Sequence, residues 1–374
     1  MKIAIVQGAF YPVPTRRGGA IEKIWFALGQ EFSRRGHEVT HYSRLCDGLP
    51  ATEVIAGVHH VRVPGADTPA SRLLQKWRDL HYTWRVARRL RKADVVVTHT
   101  FWSPLLLSPR RHGPIWVHVQ RYPQGQMRLY PKAARLQTVS RVIARAIIAQ
   151  LPSALARVRI IRNPLPTPAA PANVTARDPN LVLFVGRVHA EKGVELLVRA
   201  AILARTQAPA LRFRIVGPCE TRFGGGGELL REQLETLARE HGAQVEFTGA
   251  VFDDAALSAH YSAASVFVYP SLAAKGEASP VAPLEALAHG CPVVTSELDC
   301  FDDTVGHGAF ASRFDHTAPD APARLLAALC GVLDARTLWP EASAAAKARA
   351  GEFSIERIAD DYLAGFAALN ATHR

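Results

Sequence analysis

The stretch Val266-Phe267-Val268-Tyr269, followed by Glu277-Ala278-Ser279-Pro280-Val281-Ala282-Pro283-Leu284-Glu285, decides how this chain is read. The apolar run predicts a strand and the residues after it a loop. The segment running toward His289-Gly290 predicts a helix. A strand, a tight loop and a helix N-terminus place backbone N–H groups where an anion can bind. Two glutamates with seven residues between them flank that position, one in the loop and one on the helix. Carboxylates accept hydrogen bonds from hydroxyls, so the stretch suits a ligand that joins phosphate to hydroxyl-rich groups.

Outward from there, short apolar runs bounded by Gly or Pro alternate with helical patterns, which predicts α/β layers with parallel sheets. Strands are expected at residues 2–7, 37–43, 59–63, 94–99, 115–120 and 158–162, then at 181–186, 211–216, 244–249, 265–269 and 292–296. In the segment 20–35, Ile21, Ile24, Trp25, Leu28 and Phe32 share one face of a helix. Pro164-Leu165-Pro166-Thr167-Pro168-Ala169-Ala170-Pro171 suits neither helix nor central strand and reads as an interdomain linker. The expected plan is therefore an N-terminal Rossmann-like domain over 1–165, a linker over 166–180 and a second such domain over 181–350. A last helix over 351–374 carries Ile358, Tyr362 and Phe366 on one stripe and is a candidate to pack back on the N-terminal domain. Doubly wound sheets bind ligands outside the carboxyl ends of their strands, so two of them facing across a cleft would share a ligand.

At 374 residues the chain exceeds one ordinary core. Five scattered cysteines with no CxxC pair suggest neither a disulfide framework nor a zinc site. The first residues already read as a strand and no apolar run reaches the roughly 20 residues that span a bilayer, so neither a signal peptide nor a spanning helix is expected. The expected location is the cytoplasm, with peripheral contact at the inner face of the membrane. The net charge of +12 is unevenly spread: residues 1–175 hold 27 Lys and Arg against 8 Asp and Glu, and the remainder 18 against 25. A basic half serves nucleic acid, an anionic membrane surface or a phosphorylated substrate. It lacks clustered aromatic stacking motifs, which argues against nucleic acid.

Several residues can carry chemistry. Gly18-Gly19-Ala20-Ile21-Glu22 opens the first helix after the first strand, where glycine lets backbone approach a ligand. It is not the dinucleotide fingerprint, so no nicotinamide cofactor is inferred. Gly186-Arg187-Val188-His189-Ala190-Glu191-Lys192-Gly193 leaves the first strand of the second half with two cations at its end. A guanidinium grips phosphate through two bonds and an ammonium adds a compact charge. His99 ends a strand, while His118 and Gln120 share one face of another; a histidine there can meet a sugar hydroxyl or move a proton. For His118 the competing reading is a core histidine. Gly224 to Gly227 read as a mobile loop, since no GKS or GKT follows. Asp253-Asp254 and Asp302-Asp303 lack a DxD element or a histidine at ligand spacing, so no metal is expected.

Gly18-Gly19-x-x-Glu22, Gly186-Arg187-(x)4-Lys192-Gly193, Glu277-(x)7-Glu285 and Gly290-Cys291-Pro292-Val293-Val294 occur in one order across the chain. Together they resemble a family 4 retaining glycosyltransferase of the GT-B fold. The resemblance implies a nucleoside diphosphate sugar as co-substrate, no metal and no other cofactor. It implies Arg187 and Lys192 on the diphosphate, Glu277 on the transferred sugar and Glu285 on the ribose. Gly19 and Gly186 would allow close approach, His99 would lie near the sugar, and Asn163 would match an asparagine preceding the linker. Ser279 and Val281 stand where the family usually reads Gly-Phe-Gly-Leu. Pro280 replaces one of those glycines and removes a backbone N–H, so Ser279 is the candidate replacement contact. Pro164 likewise replaces a glycine after Asn163. His118 and Gln120 are assigned to the acceptor side. A glycan or lipid-linked acceptor, with contact to anionic membrane through the basic half, completes the expectation. The alternatives are a sugar-nucleotide epimerase of the same layout and a basic, non-catalytic nucleic-acid binder.

Overall fold

The computed structural model describes residues 1–15, 19–69, 71–165, 177–275 and 277–371; Gly18 and the linker residues 166–176 lie outside that set. The chain divides into two units, Met1–Pro166 with Ser354–Arg374, and Thr167–Phe353.

Unit 1 holds β1 (Lys2–Val6), β2 (Glu38–Leu45), β3 (Thr52–Ile55), β4 (Val58–Pro64), β5 (Val95–Thr98), β6 (Ile115–Val119), β7 (Arg135–Thr138) and β8 (Val158–Ile160). They form one eight-stranded sheet in the order β3-β4-β2-β1-β5-β6-β7-β8. Only β3 runs antiparallel. Its helices are α1 (Ala20–Arg34), α2 (Arg72–Arg89), α3 (Ser103–Leu106), α4 (Pro109–His112) and α5 (Arg141–Gln150). Strands covered on both faces must be apolar on both, hence Ile3-Ala4-Ile5-Val6 and Val95-Val96-Val97, all buried. The winding reverses at β1, which has β2 on one side and β5 on the other, the position where such sheets open a crevice.

Unit 2 holds β9 (Asp178–Val185), β10 (Arg212–Val216), β11 (Val245–Gly249), β12 (Ala264–Tyr269), β13 (Val293–Ser296) and β14 (Ala311–Phe314). They are all parallel, in the order β11-β10-β9-β12-β13-β14, so here the reversal falls at β9. The helices are α6 (Val194–Gln207), α7 (Glu228–Glu240), α8 (Asp254–Ala263), α9 (Val281–Ala288), α10 (Cys300–Thr304), α11 (Ala321–Asp334) and α12 (Trp339–Gly351).

The last helix, α13 (Ile355–Ala371), belongs to unit 1. Ile358, Ala359, Tyr362, Phe366 and Leu369 join Ile24, Trp25, Leu28 and Phe32 of α1 over one face of the sheet. Gly365 lets α13 settle on the Trp116 indole, since a Cβ there would lie 2.6 Å from the ring. Tyr362 donates to Gln137 at 3.0 Å.

Three strands escape the sequence reading. β3, β7 and β14 are each four residues long and carry few consecutive apolar residues, as in Arg135-Leu136-Gln137-Thr138. The predicted linker 166–180 is also too long, because Asp178-Pro179-Asn180 already belong to β9.

Candidate functional site

In unit 2 the candidate residues gather where β9 and β12 end. Gly186 follows β9, with its N–H bonded to Val216 O at 2.9 Å. A short turn then carries Lys192 to Gly193, whose φ is +69° and whose position tolerates no side chain, since a Cβ would lie 1.9 Å from Pro270 O. That close approach sets Lys192 against the end of β12. Lys192 and Glu277 are 7% and 5% exposed, and their side chains form an ion pair. The same Oε1 of Glu277 accepts from Ser271 Oγ at 2.9 Å and from Tyr269 OH at 3.3 Å. The Lys192 ammonium also lies 5.6 Å from the Tyr269 ring. Burial first, and the Glu277 carboxylate second, push the Tyr269 phenol well above its usual range, so it remains a donor.

Arg187 is more open. Its guanidinium binds Glu191 at 2.7 Å and the carbonyl of Gly224. The glycine quartet that supplies this carbonyl, expected to be mobile, is tied down: Gly225 N–H reaches Glu220 O at 3.0 Å, Gly226 N–H reaches Val188 O at 2.8 Å and Gly227 N–H reaches Cys219 O at 2.7 Å. The sequence carries no signal for these backbone bonds.

Helix α9 begins at Val281, with Pro280 as its N-cap residue and Pro283 in its first turn. With Pro280 and Pro283 lacking N–H groups, those of Val281 and Ala282 are left for an anion at this tip. Ser279 Oγ, beside it, is buried with no hydrogen-bond partner among the described residues. Glu285, one turn further on, accepts from the buried Tyr261 hydroxyl at 2.7 Å. Lys192 and Glu277 are thus brought into contact, while Glu285 is held by a different partner, Tyr261.

Unit 1 has its own cavity, about 340 Å³, at the carboxyl ends of β1, β5 and β6. Here one register row crosses six strands as Arg62, Ser43, Gln7, His99, His118 and Gln137, continuing the ladders that pair Val6 with Tyr42 and Thr98. The face that is apolar under α1 and α13 therefore turns polar toward its carboxyl edge. Trp25 Nε1 donates to His118 Nδ1 at 2.8 Å, which puts the His118 proton on Nε2. His118 Nε2, His99 Nε2 and Gln120 Oε1 are buried atoms with no partner among the described residues, and all three residues line the cavity.

Both histidines are held neutral. Burial, then the Arg121 charge, lowers His99 to about 4; burial, then His99, lowers His118 to about 3. The cavity also contains two carboxyl groups that the sequence reading did not assign to it. Burial raises Asp79 to about 6 against hydrogen bonds from Trp102 and Phe101 backbone. Burial likewise raises Glu22, offset by backbone bonding and by Arg121. Asp79 was detectable: with Tyr82, Thr83 and Val86 it forms the buried i, i+3, i+4, i+7 stripe of α2. Phe10, Phe101 and Tyr130 supply apolar walls.

Gly19 caps α1 with φ +80°, and a Cβ there would lie 2.9 Å from the Glu22 carboxylate. Glycine at this position is what lets Glu22 fold back over its own helix start. Asn163 is buried, with Nδ2 unpartnered among the described residues.

Residues 18–167 match the family model described as Glycosyltransferase Family 4, and residues 179–335 match that described as Glycosyl transferases group 1. A D-inositol 3-phosphate glycosyltransferase of Geodermatophilus obscurus is 34% identical over 195 residues, which is 52% of this chain and 41% of that relative. The match thus spans less than half of the relative's length. Sucrose-phosphate synthase from Thermosynechococcus elongatus superposes over 99% of both chains with a TM-score of 0.80 at 20% identity. Anabaena Alr3699/HepE, solved in complex with UDP and glucose, superposes over 98% of this chain and 99% of its own with a TM-score of 0.69 at 18% identity. At those identities the structural likeness speaks for the fold. With two family models between them covering most of its length, the chain belongs to the family 4 glycosyltransferases of the GT-B fold.

Proposed function

We propose that this glycosyltransferase moves a sugar from a nucleoside diphosphate sugar to an acceptor hydroxyl with retention at the anomeric carbon and without a metal, in the assembly of a surface glycan or polysaccharide. The observation that carries the reading is the buried Lys192–Glu277 pair beside the tip of α9 and the unpartnered Ser279 hydroxyl. Lys192 and Arg187, with the Val281 and Ala282 N–H groups, meet charge growing on the departing diphosphate. Glu277 already accepts from three donors, which makes it a poor nucleophile and a good orienting group for sugar hydroxyls. As the bond from the anomeric carbon to phosphate oxygen breaks, the acceptor oxygen bonds to the same face. Its proton passes to the departing phosphate oxygen. Glu285 is assigned to the ribose.

The acceptor reading rests on unit 1. A cavity with two carboxyl groups, two neutral histidines, the amides of Gln120 and Gln126, the Arg121 guanidinium and aromatic walls is rich in hydrogen-bonding groups and suits a hydroxylated ring. The phosphate or lipid portion of a lipid-linked acceptor would then stay outside, against the basic surface. An epimerase would isomerise the donor without any acceptor.

The test is a thermal-shift panel of UDP, GDP, ADP and CDP sugars, since a bound donor stabilises the fold by mass action. NMR of the product formed from the best donor follows, with and without EDTA. The expected outcome is a selective shift and an axial or equatorial linkage matching the donor, undiminished by EDTA. No shift with any donor, or inversion in the product, overturns the reading.

A further inference from the structure

Within unit 1, the outer face of α2 is exposed among the described residues. Its inner face buries Asp79, Tyr82, Thr83 and Val86, and the helix is fixed by Trp102 Nε1 donating to Lys76 O at 2.7 Å and by Arg85 donating to Pro64 O at 2.8 Å. The helix therefore cannot rotate to hide what lies opposite. There, Leu73 is 80% exposed, Trp77 59% and Trp84 53%, at the i, i+4, i+11 spacing of a single stripe. The neighbouring α3 adds Leu105 and Leu106, each 40% exposed. Single exposed apolar residues are ordinary, but a run along one helix and its neighbour marks a contact surface.

The charges decide what kind of contact. Arg72, Lys76, Arg85, Arg88 and Arg89 are exposed on α2, and its one acidic residue, Asp79, is buried. Arg88 stacks on the Trp84 indole with its guanidinium carbon 4.6 Å from the ring centre. A protein partner would need a dense acidic rim. A bilayer of anionic lipid offers negative charge at the headgroups and an apolar layer directly beneath, in the order that arginines beside tryptophan require. Tryptophan also settles at that boundary. No helix among the described residues is long and apolar enough to cross a membrane, so α2 would lie along the surface.

We infer that α2 is a membrane-docking element, set flat on an anionic lipid surface by Trp77, Trp84 and Leu73 with its arginines at the headgroups. The inference does not depend on the transfer reading. Because Asp79 on the inner face lines the unit 1 cavity, docking would hold that cavity about one helix diameter, roughly 10 Å, from the lipid surface.

The test uses the full chain with vesicles of phosphatidylcholine alone or mixed with phosphatidylglycerol. Cosedimentation is expected with the mixed vesicles only, falling as salt rises. Bromine on the acyl chain near the headgroup should quench tryptophan emission in the parent protein. The Trp77→Ser/Trp84→Ser variant should lose binding at least about tenfold, as should Arg72→Glu/Arg88→Glu, with the circular dichroism melt unchanged. Equal binding to neutral vesicles, no quenching, or undiminished binding by the tryptophan variant overturns the inference. So does a parent dimer that the tryptophan substitutions convert to monomer, since a second copy would then own this face. Binding to nucleic acid in place of vesicles would overturn it as well.

Discussion

Lys192 and Glu277 serve two ends at once, and single substitutions confuse them. Removing the ammonium leaves a buried carboxylate without its counter-charge, which costs about 3–5 kcal/mol. Lys192→Ala would then lose activity for the trivial reason that unit 2 unfolds. The pair Lys192→Met with Glu277→Gln removes both charges while keeping volume and the Ser271 and Tyr269 bonds. Urea unfolding should place this double variant within about 1.5 kcal/mol of the parent. Its kcat should still fall at least about a hundredfold, because no cation meets the leaving phosphate. Activity recovering along with stability would mean that the pair is structural only. The pairing of these two residues was not legible in the sequence. They lie 85 positions apart, and only the close approach of Gly193 to Pro270 brings them together.

At the scale of elements, apolarity decided what could be read. β1, β5, β9 and β12 are buried on both faces and announce themselves as apolar runs. β7 and β14 are strands because their neighbours hold them. β3 turns into β4 through Ala56 at φ +46° and Gly57 at φ +80°, a hairpin without the usual Asn-Gly signature. The same dependence on neighbours governs the histidine row. His118 is oriented by Trp25, which reaches it from α1 across the sheet face. Trp25→Phe keeps the apolar packing and removes the one N–H, leaving His118 Nδ1 buried and unpaired. The expected cost is about 1–3 kcal/mol in denaturant unfolding. With the tautomer no longer fixed, the acceptor KM should rise severalfold while the donor KM stays as in the parent. A donor KM that rises equally would detach this row from acceptor binding.

At the scale of the whole molecule, the buried histidines of unit 1, two in the polar row and two beside it, make stability depend on pH in a calculable direction. His99 and His60 titrate near 4 in the folded chain and His118 near 3, all driven first by burial, and buried His41 lies well below its usual value for the same reason. Unfolded, each returns to about 6.5. Between about pH 6.5 and 4 the unfolded chain therefore binds more protons at these four sites, and stability falls on acidification. Asp79, raised to about 6, and Glu22, also raised, act oppositely, binding protons more readily in the folded state above their unfolded values near 4. Four histidines outnumber two carboxyls, and His260 and His289 in unit 2 are lowered in the same sense. Tm should therefore drop by more than roughly 5 °C from pH 7.5 to pH 5. His118→Asn, which keeps an acceptor for Trp25 but cannot titrate, should shrink that drop. Calorimetry at constant ionic strength checks both. A Tm flat across the range would show that these histidines take up protons while folded, and a drop undiminished in the variant would show the same of His118.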